Sequence, residues 1–347
     1  MSTASDTGGV SGGDSTLTLA RVLRAILPAF SLAVILIAVF YLQPRAMSPI
    51  GLKLLFNLAV PIALATIAQM FVLCVNDLDL SIGAYVGFVV AVGATLLNDG
   101  IAGLPALAGV IPDPAPWILT TPLAGVVVLA LGIGVYALLG ALIHVRNLPS
   151  IVVTLGMSFV WAGLAVLVLP TPGGKAPEWI RATMTFQTPI VPFPIVALVI
   201  IAIVVHVLLM RTAYGAVIRG AGGNPRSVAR AGWSLLKVKM AAFAFAGFFG
   251  MLAGLALLGL TTAGDANIAV RYTLLSIAGA ILGGSEFVGG RVSPIGAVIG
   301  AATLTLANSF LTFLRLNPDF QIGAQGAILI IVLALRVLIN RTEARRQ

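Results

Sequence analysis

Charge is what this sequence has least of. Of its 347 residues only 9% are Asp, Glu, Lys or Arg and 59% are hydrophobic, against about 25% and about 45–50% in soluble domains, so water cannot solvate most of the chain. There are eleven acidic residues and two histidines, His144 and His206. No zinc-protease, clustered-histidine or nucleophile-elbow pattern occurs among them, so hydrolytic and metal chemistry have little to work with, and no catalytic or metal-ligating residue is assigned. Each histidine lies near the end of an apolar run, where a capping or interfacial role fits better than ligation. The single cysteine, Cys74, excludes an intramolecular disulfide framework and a cysteine-based metal site, and it reads as a small buried hydrophobe. Gly173-Gly174-Lys175 resembles the end of a phosphate loop, but Ala176 stands where Ser/Thr is required and Leu169 where the first glycine belongs. ATP is not bound by that route, and no cofactor is expected.

What the chain has is apolar length. A span needs about 20 apolar residues to cross a core of about 30 Å, and ten stretches qualify: 22–43, 53–74, 80–98, 119–143, 150–170, 193–210, 238–262, 271–288, 293–315 and 321–340, the eighth being the weakest. The fold class is therefore an all-α polytopic transmembrane bundle, organised as a tail (1–20), a membrane domain (21–340) and a basic tail (341–347). Net charge is +9, but its placement follows topology, not nucleic acid. With the N-terminus inside, fourteen Lys/Arg fall at cytoplasmic ends and six at the other side, as the positive-inside bias predicts. Both termini are then cytoplasmic. Residues 1–20 are rich in Ser, Thr and Gly without a basic residue; they read as a disordered tail rather than the start of a cleaved signal peptide.

The polar breaks differ in kind. Residues 99–118 are rich in proline and lack Lys and Arg, and 170–194 carry Trp179 and Phe186 at headgroup level; both read as external loops. The segment 211–239 is the one large cytoplasmic feature, a Gly-rich loop with six Lys/Arg and no Asp or Glu, which offers a partner something to grip. Within it, Asn224 followed by Pro225 predicts a short helix to Ala231, capped by the Asn224 side chain with proline at its first position. Arg226 and Arg230 then share a face at i,i+4, available to carboxylates of a partner or to anionic lipid.

Around residues 75–83, Asn76, Asp77, Asp79 and Ser81 interrupt apolar sequence on both sides. Two compatible readings follow: Asp79 or Ser81 caps a helix beginning at Ile82, or the backbone breaks inside the membrane thickness, where protein must cover it or a watery path must run beside it. The hexamers 82–87 and 295–300 share the pattern I-G-A-x-[VI]-G after a polar break. Their Gly83/Gly87 and Gly296/Gly300 pairs are candidates for close helix packing, with or without a pathway role. An ion-coupled carrier would hold ionisable groups in mid-span; only Asp77 and Asp79 come close, and they sit at a span end.

Three runs resemble the permease subunits of ABC importers for ribose, xylose, arabinose, galactose and related sugars, whose relatives import branched-chain amino acids and nucleosides. Asp79-Leu80-Ser81-Ile82-Gly83 resembles the family's I-D-L-S-V-G. Ala221-Gly222-Gly223-Asn224-Pro225, with Ala229, Gly232 and Val238-Lys239, is similar to its coupling loop, and Ile281-Leu282-Gly283-Gly284-Ser285 with Gly289-Gly290-Arg291 and the Gly296/Gly300 pair to its Gly-rich run. The resemblance covers about residues 50–340. It implies an inner-membrane subunit that pairs with a second permease copy, identical or paralogous, around a central path. It further implies that ABC ATPase subunits grip the 213–233 segment through Gly222, Gly223, Asn224, Arg226, Ala229, Arg230 and Gly232. A periplasmic binding protein would deliver a sugar-like solute, with Asn76, Asp77, Asp79, Ser81, Gly83 and Ser285 as path candidates. Membrane lipid is the surrounding partner, and nucleic acid is not expected. The chain departs from the family in Thr273, which follows Tyr272 where an acidic residue is frequent, and in Asp77, which replaces a common glycine. Both departures leave the solute open between a pentose, hexose or polyol and a nucleoside or amino acid.

Overall fold

The computed structural model describes residues 28–104, 107, 109–110, 116–188, 191–287 and 289–315, with isolated positions between 320 and 330. The expected tails 1–20 and 341–347 lie outside the described residues, and so does nearly all of the tenth stretch. Among the described residues the regular structure is helical, apart from one isolated bridge between Gly173 and Gly264. The helices are α1 (Pro28–Leu42), α2 (Pro49–Asn57), α3 (Ala59–Cys74), α4 (Ile82–Asp99), α5 (Trp117–Thr120), α6 (Leu123–Arg146), α7 (Ser150–Val168), α8 (Glu178–Thr185), α9 (Phe193–His206), α10 (Ala213–Gly223), α11 (Pro225–Arg230), α12 (Leu235–Thr261), α13 (Tyr272–Leu282) and α14 (Pro294–Phe313).

Seven helical stretches are long and apolar enough to cross a membrane: Pro49–Cys74, Ile82–Gly103, Leu123–Arg146, Ser150–Val168, Phe193–Arg211, Leu235–Thr261 and Pro294–Phe313. They answer to seven of the ten expected stretches, and α1 lies within an eighth. The stretch 271–288 is different. Its helix, α13, has 11 residues, about 16 Å at 1.5 Å per residue, which is half a bilayer core. Turns occupy 266–271 before it, and Gly284, Gly289 and Gly290 take positive φ after it. Glycine alone enters that backbone region without penalty, so the helix stops and the chain turns back.

The layers sort by hydropathy, the less apolar helices lying inside. All sixteen residues of α3 are buried, and α3, α4, α12 and α14 form the inside of the bundle. The more apolar α6, α7 and α9 turn most of their surface outward. Lipid is as apolar as leucine, so the inner helices associate through close backbone approach rather than through greasiness. Gly83 and Gly87 of α4 face residues 266–273, and Gly296 and Gly300 of α14 face Gly283 and Gly279. A Cβ at Gly83 would lie 2.5 Å from Thr273 Oγ1 and 2.7 Å from Ala269 O. The half-helix α13 and its approach are thus held between the two glycine pairs.

Candidate functional site: a buried break tied to an exposed elbow

Helix α3 ends because Asn76 adopts φ +61°, a left-handed conformation that Asn tolerates better than most residues. From Asp77 to Ser81 the chain runs without helical pairing, and side chains from other helices take over its backbone groups. Ser150 Oγ accepts from Leu78 N (3.1 Å) and Thr154 Oγ1 from Leu80 N (3.1 Å), both from α7. Gln69 of α3, with its amide turned to pair, donates to Asp79 O (2.9 Å) and accepts from Asp79 N (3.2 Å). Such coverage is what a non-helical stretch inside a bilayer requires.

The expected local cap is absent. Ser81 occupies the position before α4, but its side chain caps nothing. Its hydroxyl donates instead to Asp79 Oδ1 (2.6 Å), and its N–H reaches the same oxygen at 2.7 Å. The free N–H of Gly83 is taken by Thr273 Oγ1 (3.0 Å), 190 residues away on α13. Thr273, the residue that departs from the family pattern, is therefore a borrowed cap for α4.

Asp79 is fully buried. Tyr136 Oη donates to its Oδ2 (2.9 Å) and lies 3.1 Å from Ser81 Oγ. Tyr136 stands near the middle of the 24-residue helix α6, about 15 Å from its Arg146 end at 1.5 Å per residue. Asp79 lies between the spans that end at Cys74 and begin at Ile82, on a non-helical segment that reaches inward to Tyr136. Asp79 forms no ion pair among the described residues; its neutralising contacts are hydroxyls and amides. Beside it lies an aromatic cluster: Tyr85 stacks near Tyr136 (4.7 Å between centroids) and Trp161 (4.9 Å), and Phe88 near Trp161 (4.9 Å). Tyr85 Oη and Trp161 Nε1 are buried without a hydrogen-bond partner, a cost of about 1–3 kcal/mol each.

The other end of the break meets the basic segment. Asn76 Nδ2 donates to Gly222 O (2.6 Å), and Asn76 Oδ1 accepts from Gly289 N (3.1 Å). Next to it, Asp77 Oδ2 pairs with Lys239 Nζ at 2.8 Å. Residues 76 and 77 thus touch both the start and the finish of the elbow between α10 and α12. A Cβ at Gly222 would collide with Cys74 O, so the glycine permits the approach.

The segment 211–239 is not a loop. Thr212 caps α10 through Gly215 N (3.0 Å), and α10 runs 11 residues through four glycines. All four serve proximity: Gly215 lies against Leu208 and Leu209, Gly220 against Val228, Gly222 against Cys74 and Gly290, and Gly223 against Gly289. Tertiary contact here outweighs the low helix propensity of glycine. Helix α11 follows as the spacing predicts, with Asn224 Oδ1 accepting from Ser227 N (3.1 Å) and Pro225 at its first position. Val228 is its one buried residue; Gly223, Asn224, Arg226, Ala229, Arg230 and Gly232 are exposed. No ion pair engages Arg226 or Arg230 among the described residues. An open cleft of about 580 Å³ lies between α10 and the Gly289-Gly290 turn, with Arg219 and Arg291 on its walls. Ser285 is buried beneath that turn, 3.5 Å from Ser293 N.

The structure brings together Asn76, Asp77 and the elbow at one end of the break, and Asp79, Ser81 and Gly83 at the other. Sequence reasoning missed Gln69, Ser150, Thr154, Tyr136, Tyr85 and Trp161. Gln69 alone carried a signal, as the one amide in an otherwise apolar helix.

Comparison with known proteins supplies a family for the chain. The family model described as branched-chain amino acid transport system / permease component matches residues 51–333. The galactose/methyl galactoside import permease protein of Escherichia coli is 27% identical over 88% of this chain and 91% of its own length. The ribose import permease protein of Bacillus subtilis is 24% identical over 93% and 94%, and the autoinducer 2 import system permease protein LsrC of Escherichia coli 26% over 96% and 90%. No solved structure matches the chain. With its family model spanning the inner bundle, the break and the elbow together, the chain belongs to the family of branched-chain amino acid transport system permease components.

Proposed function

We propose that the chain is the membrane subunit of an ATP-binding-cassette importer for a sugar or polyol, worked from the cytoplasm by separate ATPase subunits. The observation that carries this reading is the exposed, locally capped helix α11, whose arginines face outward while its neighbour Gly222 is bonded to Asn76. A push on α11 is transmitted through α10 to Asn76, and a shift of α12 is transmitted through Lys239 to Asp77. Both residues open onto the break that leads into α4. The printed names of the relatives, which import galactosides, ribose and autoinducer 2, support a polyhydroxylated solute. On this reading the chain sits in a bacterial inner membrane, pairs with a second permease copy and receives solute from a periplasmic binding protein. It hydrolyses no ATP itself.

Co-expression with the ABC ATPases of the source genome tests the reading. The ATPase co-purifies with the wild-type chain, and Arg226→Glu together with Arg230→Glu reduces its recovery at least about tenfold, as loss of charge-complementary contacts does. Equal recovery with both charges reversed contradicts the docking role. The deep, unpaired carboxylate of Asp79 favours a second reading, an ion-coupled carrier. That reading requires uptake by the chain alone, abolished by a protonophore.

A further inference from the structure

We propose that Asp79, Tyr136, Tyr85 and Trp161 form the mid-membrane contact site for the solute, a neutral polyhydroxylated molecule of monosaccharide size, closed in this conformation. The inference rests on the importer reading and adds to it the residues that meet the cargo. Four observations converge on it.

The cluster joins three helices, α4, α6 and α7, near half-height, where alternating access demands a site reachable from either side. It combines ring faces with a carboxylate and hydroxyls: Tyr85, Tyr136 and Trp161 lie within 6.3 Å of one another by centroid, and Asp79 and Ser81 adjoin them. A sugar has the complementary surface, with C–H faces for aromatic rings and hydroxyls at the edges for polar groups. Two polar atoms of the cluster, Tyr85 Oη and Trp161 Nε1, are buried with no partner. Phenylalanine at each position would keep the stacking without that penalty, so the unpaired atoms are accounted for by a partner that arrives when the helices part. Finally, Gly132 faces the tip of Tyr85, where a Cβ would stand 2.9 Å from the phenol oxygen. A glycine on α6 is what lets the phenol tip sit this close, beside Tyr136 of the same helix.

The chemistry selects among solutes. Asp79 accepts three hydrogen bonds from Ser81 and Tyr136, and sugar hydroxyls are able to replace Tyr136 as donors while Tyr136 turns to a sugar oxygen. An amino acid would bring a carboxylate, and Asp79 forms no ion pair that marks a cation at the cluster among the described residues. Because the ammonium of a zwitterion would pair with Asp79, the leucine probe decides between neutral polyols and amino acids.

The test uses the whole importer in vesicles, with ribose, galactose and leucine as probes. Tyr85→Phe keeps the ring and removes one polar atom, and Trp161→Phe removes the indole N–H while leaving a smaller aromatic ring. Each is expected to raise the half-saturating monosaccharide concentration or lower the transport rate by about tenfold, the scale of one lost hydrogen bond in a closed site. Each also changes the ratio of ribose to galactose transport, while recovery of the ATPase with the chain stays at the wild-type level. Unchanged transport and an unchanged ratio in both variants overturn the site and leave the importer reading intact. Should either variant fold poorly, a chain retaining Trp161 alone, with Trp117, Trp179 and Trp233 changed to Phe, gives a second readout. Saturable change of its emission with ribose or galactose supports the site; no change, or a change with leucine alone, overturns it. A wild-type complex that assembles no ATPase counts against the importer reading instead.

Discussion

The chain breaks twice in the same way and satisfies the two breaks by opposite means. Between α3 and α4, and again between α13 and α14, an apolar helix stops, a polar turn follows, and a helix with the same glycine pattern begins. The second break is met mostly by local groups, with Gly289 N donating across to Asn76 Oδ1 (3.1 Å). Ser293 caps α14 through Gly296 N (3.1 Å), Ser285 N donates to Ala280 O (2.9 Å), Glu286 N donates to Arg291 O (2.9 Å), and glycines supply the positive φ. The first break borrows nearly everything: its backbone is paired by Gln69, Ser150, Thr154 and Thr273, from α3, α7 and α13. A turn met mostly by local groups can move as a body, whereas a borrowed one changes shape only when its lenders move. The first break is therefore the place where rearrangement of the bundle is felt.

Substitutions sharpen the contrast, from the largest effect downward. Asp79→Ala strips the first break of the acceptor for Ser81 and Tyr136 and is expected to cost about 3 kcal/mol, since bonds to a charged group are worth about 1.5–3 kcal/mol and buried partners are left unpaired. The measurement is the thermal midpoint of the purified chain in detergent. A midpoint equal to wild type would refute the network. Thr273→Val removes the borrowed cap of α4 at nearly constant volume and is expected to cost about 1–2 kcal/mol, with Thr273→Ser restoring it. Ser293→Ala removes the local cap of α14, exposed to easier replacement by water, and is expected to cost about 1 kcal/mol or less. If Ser293→Ala proves costlier than Thr273→Val, the distinction between the borrowed and the mostly local break fails.

How much of this the sequence disclosed follows from the range of the interactions. Apolar length located seven spanning helices, and the Asn224-Pro225 pair located α11 with its cap, because both are local properties. The Gly83/Gly87 and Gly296/Gly300 pairs were visible as spacing, though not that both would grip α13. The half-length of α13 depended on turns at 266–271 in a stretch whose composition reads as apolar. Helix α10 was hidden because its glycines look like a loop until Cys74 and Gly290 are seen against Gly222. The depth of Asp79 was hidden most fully: Tyr136 lies 57 residues away and Thr273 lies 190 from Gly83, and nothing in one sequence says which tyrosine or threonine will arrive.

The elbow adds a last, smaller prediction. Lys239→Met leaves Asp77 with less compensation and severs one of the two ties to the break; transport per ATP hydrolysed by the complex is expected to fall about two- to fivefold, the scale of one partly exposed ion pair. Asn76→Ala, which loses both Gly222 and Gly289, is expected to lower it further, with ATP hydrolysis preserved.

On the proposed function the bundle is a gate with no energy source of its own. The most direct test is accumulation of a monosaccharide by vesicles holding the chain alone, compared with vesicles holding the chain, the ATPase, ATP and the binding protein. Accumulation above the outside concentration is expected only in the second set. Uphill accumulation by the chain alone would contradict it.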